Sequence, residues 1–292
     1  MLMLFLWVDS FNYNLRQIDE NLKDCILRLQ EVQEIVQMNE ESLVKSDEIW
    51  GQEILPGFIL GNWLFDSSSE FHDEKYLLMD ILNKCTSDLE YQYGEFVKHL
   101  DSGELVHKKA LVGLYKVLNT FKCPPIICCE ELIKTYRMVL SNSSDINEFT
   151  NGLDQCFPGL CFSLQVPNSL KAFKPFREYI TEVVRHLEAL NDHGISQAKL
   201  LGQMTEDEIM QRLGAMGKIE CSLQGNPKFE KEYLSFIFIN DSGDEIKVIC
   251  APHTKLNHNG SRWRIYFRWY YPTVAQGKKL LVGHIGDHLG KD

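Results

Sequence analysis

The sequence lacks the motifs that mark the common nucleotide-binding and hydrolytic enzymes. It contains no G-x-G-x-x-G, no G-x-x-x-x-G-K-[ST], no G-x-S-x-G and no set of protein-kinase signatures, so those enzyme classes have no support from local pattern. Its nine cysteines include no C-x-x-C pair, which fits neither a zinc ribbon nor a disulfide framework. We therefore predict buried free thiols and no cofactor.

Long apolar runs are also missing. The apolar start, Met1 to Val8, meets Asp9 before it reaches the roughly 15 residues of a signal peptide or the roughly 18 of a membrane span. We predict a buried strand there, a soluble cytoplasmic protein and no membrane partner.

Acidic residues are absent from one segment of an acidic chain. The whole chain carries 30 Lys and Arg against 41 Asp and Glu, a net charge of −11, which on average repels nucleic acid. The 41 residues from Ile246 to Gly286 nevertheless contain seven basic and no acidic residues, while residues 1–245 carry 22 basic and 39 acidic ones. Such an asymmetry indicates either a localised anionic partner or an acidic segment that covers a basic one.

Hydrophobic periodicity predicts an α+β protein with two regions. A mainly helical acidic region with a short N-terminal strand is expected over residues 1–215, and an antiparallel β-sheet region with a basic face over 216–292. Three- and four-residue spacing predicts these helices: Leu15–Gln37, Glu70–Cys85, Glu104–Phe121, Glu130–Leu140, Leu170–Asn191 and Ile195–Leu213. Two-residue alternation then predicts a four-stranded antiparallel sheet from Glu232–Ile239, Glu245–Ala251, Arg262–Tyr270 and Lys278–His284.

The strand Arg262–Tyr270 carries the clearest functional pattern. Alternation places Trp263, Ile265, Phe267 and Trp269 on a core face. The opposite face combines guanidinium groups, which bind phosphate, with aromatic rings, which stack on bases. We predict RNA contact through Lys255, Arg262, Arg264, Tyr266 and Arg268. Two alternatives remain open: that acidic helices around Glu178/Glu182 or Glu206–Glu208 cover this face, and that it binds a small anion.

Histidines cluster near the end of the chain. A neutral histidine can act as a general base beside a cation that stabilises charge on a phosphate. The candidates for such a base are His253, His284 and His288. The competing interpretations are structural hydrogen bonds to the backbone, and a metal site formed by His253, His284, Asp287 and His288. We predict that no metal is bound.

Three C-terminal strings support a resemblance. These are His253-Thr254-Lys255-Leu256, Arg264-Ile265-Tyr266-Phe267 and Leu281-Val282-Gly283-His284-Ile285-Gly286-Asp287-His288-Leu289. Together with Phe173–His193 and weaker similarity over Gly57–Leu64 and Tyr76–Cys85, they resemble a group of uncharacterised bacterial proteins associated with mobile or anti-phage defence loci. The resemblance covers about half the chain and implies a gene context rather than an activity.

The basic strand followed by a strand that ends in histidine is also similar to RelE- and ParE-type toxins, whose sheets present Arg, Lys, Tyr and His to RNA or to a protein partner. This chain is about three times as long as those toxins, and their catalytic positions do not map onto it one to one. The resulting hypothesis is a defence or toxin-like protein that contacts RNA, with cleavage left open. The alternative is a non-catalytic or immunity-type subunit whose acidic region binds a protein encoded nearby.

Overall fold

The computed structural model describes residues 2–68, 70–89, 92–101, 108–118, 121, 124–256 and 262–290. The chain divides into two compact units, 1–139 and 140–292, and the boundary predicted near residue 215 lies inside the second. Both units contain helices and strands, which confirms the α+β composition. Short 3-10 turns occur at Val8–Phe11, Tyr13–Leu15, Asp47–Gly51, Leu170–Ala172, Phe176–Glu178 and Ala275–Gly277.

The first unit is built around a parallel sheet. Its strands are β1 (Met3–Leu6), β2 (Leu43–Lys45), β3 (Glu53–Leu55), β4 (Phe58–Ile59), β5 (Thr86–Ser87) and β6 (Lys109–Val112). Its helices are α1 (Leu22–Met38), α2 (Leu60–Phe65), α3 (His72–Lys84), α4 (Gln92–Asp101) and α5 (Cys129–Ser141). The sheet order is β5-β2-β1-β6 with every pairing parallel, and β3 and β4 form a separate hairpin. Helices connect the parallel strands, as parallel pairing requires.

The prediction of a mainly helical N-terminal region is therefore wrong. The predicted helix Glu104–Phe121 contains the strand Lys109–Val112. A short apolar run of this kind fits a buried strand as well as a helix, so its periodicity could not distinguish the two. The strand predicted within Met1–Val8 is confirmed as β1. The helix predicted over Leu15–Gln37 is confirmed as α1, although α1 begins only at Leu22 and ends at Met38.

The second unit contains a mixed sheet and six helices. The strands are β7 (Leu160–Phe162), β8 (Glu220–Ser222), β9 (Ser235–Ile239), β10 (Glu245–Ile249), β11 (His253–Lys255), β12 (Trp263–Arg268) and β13 (Leu280–Asp287). The helices are α6 (Ile146–Asn151), α7 (Leu153–Cys156), α8 (Val166–Ser169), α9 (Ile180–Ala198), α10 (Glu206–Gly217) and α11 (Pro227–Tyr233). The T-x-x-E pattern of Thr205-Glu206-Asp207-Glu208 predicts a capping box, and helix α10 begins with it, since Thr205 and Glu208 exchange hydrogen bonds.

The C-terminal strands do not form one four-stranded antiparallel sheet, so that prediction is also wrong. The main sheet has five strands in the order β7-β13-β12-β11-β8, and β7 pairs with β13 in parallel. Strands β9 and β10 form a separate hairpin. Pro252, which has no N–H to donate, precedes β11 and interrupts continuous pairing. The hairpin instead buries Phe236, Phe238 and Val248 in one apolar cluster with Tyr266.

Strand β12 buries the side that its alternation predicted as core. Trp263, Ile265, Phe267 and Trp269 are all buried, and the Trp263 ring lies 4.5 Å from that of Phe173 between centroids. The register to β13 shifts after Tyr266, a β-bulge that leaves one extra residue on β13, Gly283.

Candidate functional site

One face of the main sheet carries two adjacent rows of polar side chains. In the first row, Ser222, His253, Tyr266 and His284 occupy paired positions on β8, β11, β12 and β13. The second row lies two residues away from the first on each strand. It consists of Glu220, Lys255, Arg264 and Gly286, which are paired in the same way. Side chains two residues apart on a strand share a face, so the register brings residues from four strands together. We call these sets the histidine row and the cation row.

The histidine row is closely packed and buried. The ring centroids of His253 and Tyr266 lie 5.2 Å apart, and those of Tyr266 and His284 lie 5.9 Å apart. Only 5% of His253, 0% of Tyr266 and 8% of His284 is exposed. Phe236 from the β9–β10 hairpin stacks on His284 with centroids 6.1 Å apart. The hairpin therefore covers this end of the face.

Burial keeps the histidines of this row neutral. It lowers the pKa of His253 to about 4, although a hydrogen bond to the carbonyl of Ala251 partly opposes the effect. Burial also lowers the pKa of His284 to about 4, against the opposing effect of Asp287. Both imidazoles are consequently uncharged at neutral pH, which is the form that can accept a proton.

Existing hydrogen bonds fix the tautomers of the two rings. His253 Nδ1 faces the Ala251 carbonyl at 3.3 Å and must donate to it, so Nε2 accepts from the Ser222 hydroxyl at 2.9 Å. His284 Nε2 donates to the Asp287 carbonyl at 3.0 Å. These contacts match the structural interpretation considered from the sequence, in which the histidines bond to backbone.

Tyr266 lies at the centre of the row. Burial raises the pKa of its hydroxyl, against smaller opposing effects of the Leu289 backbone N–H and of Arg264. The hydroxyl makes no full hydrogen bond with any described residue. Tyr266 therefore remains a protonated phenol, and burial removes it from any base-stacking role.

The cation row is more open. Lys255 forms an ion pair with Glu220, and the side chains are 27% and 48% exposed. Arg264 is half-buried and donates from Nη1 to the backbone carbonyl of Trp263 at 2.9 Å. Burial lowers the pKa of its guanidinium, but an arginine remains charged under any physiological condition. Gly286, which pairs with Arg264, is buried, and a Cβ at this position would lie 2.9 Å from the Ser169 carbonyl oxygen, so the exposed part of the row lies on the side of Lys255 and Glu220.

The other predicted basic residues lie apart from the cation row. Arg262 precedes β12, is 70% exposed, and pairs with Asp287 at 2.7 Å. Arg268 lies at the opposite end of β12, donates to the carbonyls of Ile249 and Tyr270, and packs over the Tyr271 ring. The structure thus brings Lys255 and Arg264 together, places Arg262 at the edge and separates Arg268 from them.

His288 is the least enclosed of the three candidate histidines. It is half-buried, and its ring lies 6.3 Å from Tyr266 and 6.4 Å from Phe229 between centroids. Its backbone N–H donates to the Arg262 carbonyl at 2.7 Å. His288 therefore lies between the histidine row and Arg262.

The acidic residues expected to cover the basic face have other contacts. Glu182 binds Arg185 and His186, and Glu206 accepts a hydrogen bond from Trp269 on the core side of the sheet. The basic side chains pair instead with Glu220 and Asp287. Glu220 and Ser222 could not be predicted as part of the site, because their strand β8 is only three residues long and is too short to show a two-residue alternation.

The metal alternative finds no support in the geometry. No group of three or more His, Cys, Asp or Glu side chains among the described residues could hold a metal ion. His253, His284, Asp287 and His288 do not converge on a common point, since the Nε2 atom of His284 is directed at a backbone carbonyl.

Within the described ranges, no helix is both long enough and apolar enough to cross a membrane. No protein-family model matches the chain, and no curated protein or solved structure matches it.

Proposed function

We propose that the second unit binds nucleic acid, preferentially RNA, through Lys255, Arg262 and Arg264. The observation that carries the proposal is the pairing of Lys255 and Arg262 with the exposed carboxylates of Glu220 and Asp287 at one end of the sheet. Exposed ion pairs contribute only about 0–1 kcal/mol to stability. A phosphate can therefore replace either carboxylate at little cost, and arginine can bind it with two parallel hydrogen bonds.

The position of His288 beside this surface supports RNA over DNA. A neutral imidazole can take the proton from a 2′-hydroxyl, a group that only RNA offers. Binding by Lys255 and Arg262 would bring the phosphate backbone to the exposed end of the sheet, where the backbone of His288 contacts that of Arg262.

We expect binding to be sensitive to salt and to charge reversal. Labelled single-stranded RNA should bind at about 50 mM salt and lose affinity steeply by about 200 mM, because phosphate contacts release counterions. At low salt, Arg264→Glu should weaken binding at least about tenfold, whereas Glu220→Gln, which removes the competing carboxylate, should strengthen it several-fold. Fluorescence anisotropy measures all three changes.

Lys171→Glu is the matched control, because Lys171 is an exposed lysine of the same unit whose ammonium contacts Asn168. Its affinity for RNA should stay within about twofold of the original protein. Absence of binding at low salt, or equal effects of Arg264→Glu and Lys171→Glu, would overturn the proposal. Stoichiometric capture of a protein encoded nearby, without RNA binding, would instead support the partner-binding alternative.

Cleavage is a second candidate function, favoured by the position of His288 beside Arg262. In this reaction His288 removes the 2′-hydroxyl proton, the 2′ oxygen attacks the adjacent phosphorus, and the bond to the 5′ oxygen breaks as that oxygen takes a proton from water. His288 then returns its proton to the solvent. The products are a 2′,3′-cyclic phosphate and a free 5′-hydroxyl. This chemistry needs no cofactor.

We expect His288→Ala to reduce cleavage by about 10²-fold or more while RNA affinity stays within about threefold, since general base catalysis contributes about 10²–10⁴. Gel analysis of end-labelled RNA, with detection of the cyclic phosphate, measures the rate. A His288→Ala protein that cleaves at the original rate would remove His288 from the mechanism.

A further inference from the structure

A second concave site lies in the second unit, away from the cation row. It is a groove of about 500 Å³ between the C-terminal end of α9 and the residues that follow β12 and precede β13. The residues that line it are Ile195, Ala198, Lys199, Leu201, Trp269, Tyr270, Gly277 and Lys278. This volume falls within the range of about 300–1,000 Å³ that is typical of small-molecule sites.

The lining of the groove combines an apolar floor with positive charge. Ile195, Ala198 and Leu201 provide aliphatic surface, and the Tyr270 side chain beside them is 45% exposed. Lys199 and Lys278 are both exposed. The lining includes no carboxylate, although acidic residues outnumber basic ones 41 to 30 in the chain.

Both lysines are available to an anion. Among the described residues neither forms an ion pair, and the Lys278 ammonium only donates to the amide oxygen of Gln276 at 2.8 Å. The Asp241 carboxylate accepts a hydrogen bond from the backbone N–H of Gln276 at 3.1 Å, and the Glu206 carboxylate accepts one from the indole N–H of Trp269 at 2.8 Å. That contact fixes the orientation of the Trp269 ring, which forms part of the wall.

We propose that this groove binds a ribonucleoside monophosphate. The base stacks against Tyr270, and the phosphate pairs with the ammonium group of Lys199 or Lys278. Aromatic rings bind the faces of all bases with little sequence preference, and lysine binds phosphate as a point charge. The site therefore selects an aromatic anion of nucleotide size without selecting a particular base.

Calorimetric titration of the full chain with the four ribonucleoside 5′-monophosphates tests the proposal, with adenosine and inorganic phosphate as half-ligands. The monophosphates should bind with submillimolar Kd values, and each half-ligand should bind at least about tenfold more weakly, because it makes only one of the two sets of contacts. Lys278→Glu and Tyr270→Ala should each raise Kd at least about fivefold. Lys171→Glu should leave Kd unchanged.

This proposal and the RNA proposal fail independently. Arg264→Glu should leave nucleotide binding intact, since Arg264 does not line the groove. No heat of binding with any monophosphate up to about 5 mM, or equal affinity for phosphate alone, would overturn nucleotide recognition. Binding of an acidic peptide that the monophosphates cannot displace would identify the groove as a protein-docking site and would also overturn it.

Discussion

Replacing Tyr266 with alanine is expected to lower the free energy of unfolding of the second unit by about 3–5 kcal/mol, the cost typical of truncating a large buried ring. Tyr266 is completely buried, and its ring touches both neighbours in the histidine row. The substitution would leave a cavity beneath the β9–β10 hairpin, which packs on the same cluster. Urea denaturation followed by near-ultraviolet circular dichroism measures the loss.

Tyr266→Phe is the matched control, because it keeps the ring and removes only the hydroxyl. That hydroxyl is buried without a full hydrogen bond to a described residue, so its removal should change stability by less than about 1 kcal/mol and can raise it. A loss below about 1 kcal/mol for Tyr266→Ala would contradict the packing described. A large loss for Tyr266→Phe would show that the hydroxyl has a strong partner.

Mild acid is expected to destabilise the second unit through its buried histidines. Burial lowers the pKa of His186, His253 and His284 to about 4 each, compared with about 6.5 in an unfolded chain. Below about pH 6.5 the unfolded chain binds protons that the folded chain still excludes. The three neutral histidines therefore make their full contribution to stability above about pH 6.5, and this contribution declines as the pH falls toward 4.

The expected loss between pH 7 and pH 5 is about 2 kcal/mol for each histidine, or up to about 6 kcal/mol for the three together. His284→Gln removes one titrating group, so the difference in unfolding free energy between the two pH values should shrink by about a third. His72→Gln changes an exposed histidine of the first unit and should leave that difference unaltered. An equal difference in the original protein and in His284→Gln would contradict the proposed linkage.

Local patterns in the sequence predicted much of the second unit correctly. Alternation along β12 identified its core face, because successive side chains of a strand point in opposite directions whatever the strand pairs with. It did not predict that Tyr266, on the opposite face, is completely buried. The spacing of Thr205 and Glu208 likewise predicts the capping box, because both residues lie within one helical turn and need no distant partner.

The partners of the basic residues could not be predicted in this way. Lys255 pairs with Glu220, which lies 35 residues away in the sequence. Arg262, just before β12, pairs with Asp287 on the neighbouring strand β13. The sequence led us to expect acidic helices as the cover for the basic face, whereas the hairpin of β9 and β10 covers its histidine end. Sheet register decides such contacts, and register is a property of the folded chain.

The same division holds across both units. The sequence by itself determined the apolar strand at the start of the chain, the amphipathic helix α1 and the concentration of positive charge between Ile246 and Gly286. Only the tertiary structure decided that β1, β2, β5 and β6 form a parallel sheet, because strands of two to four residues are stable only when neighbours satisfy their backbone hydrogen bonds. It also decided which charges meet, because the histidine and cation rows exist only where four strands align.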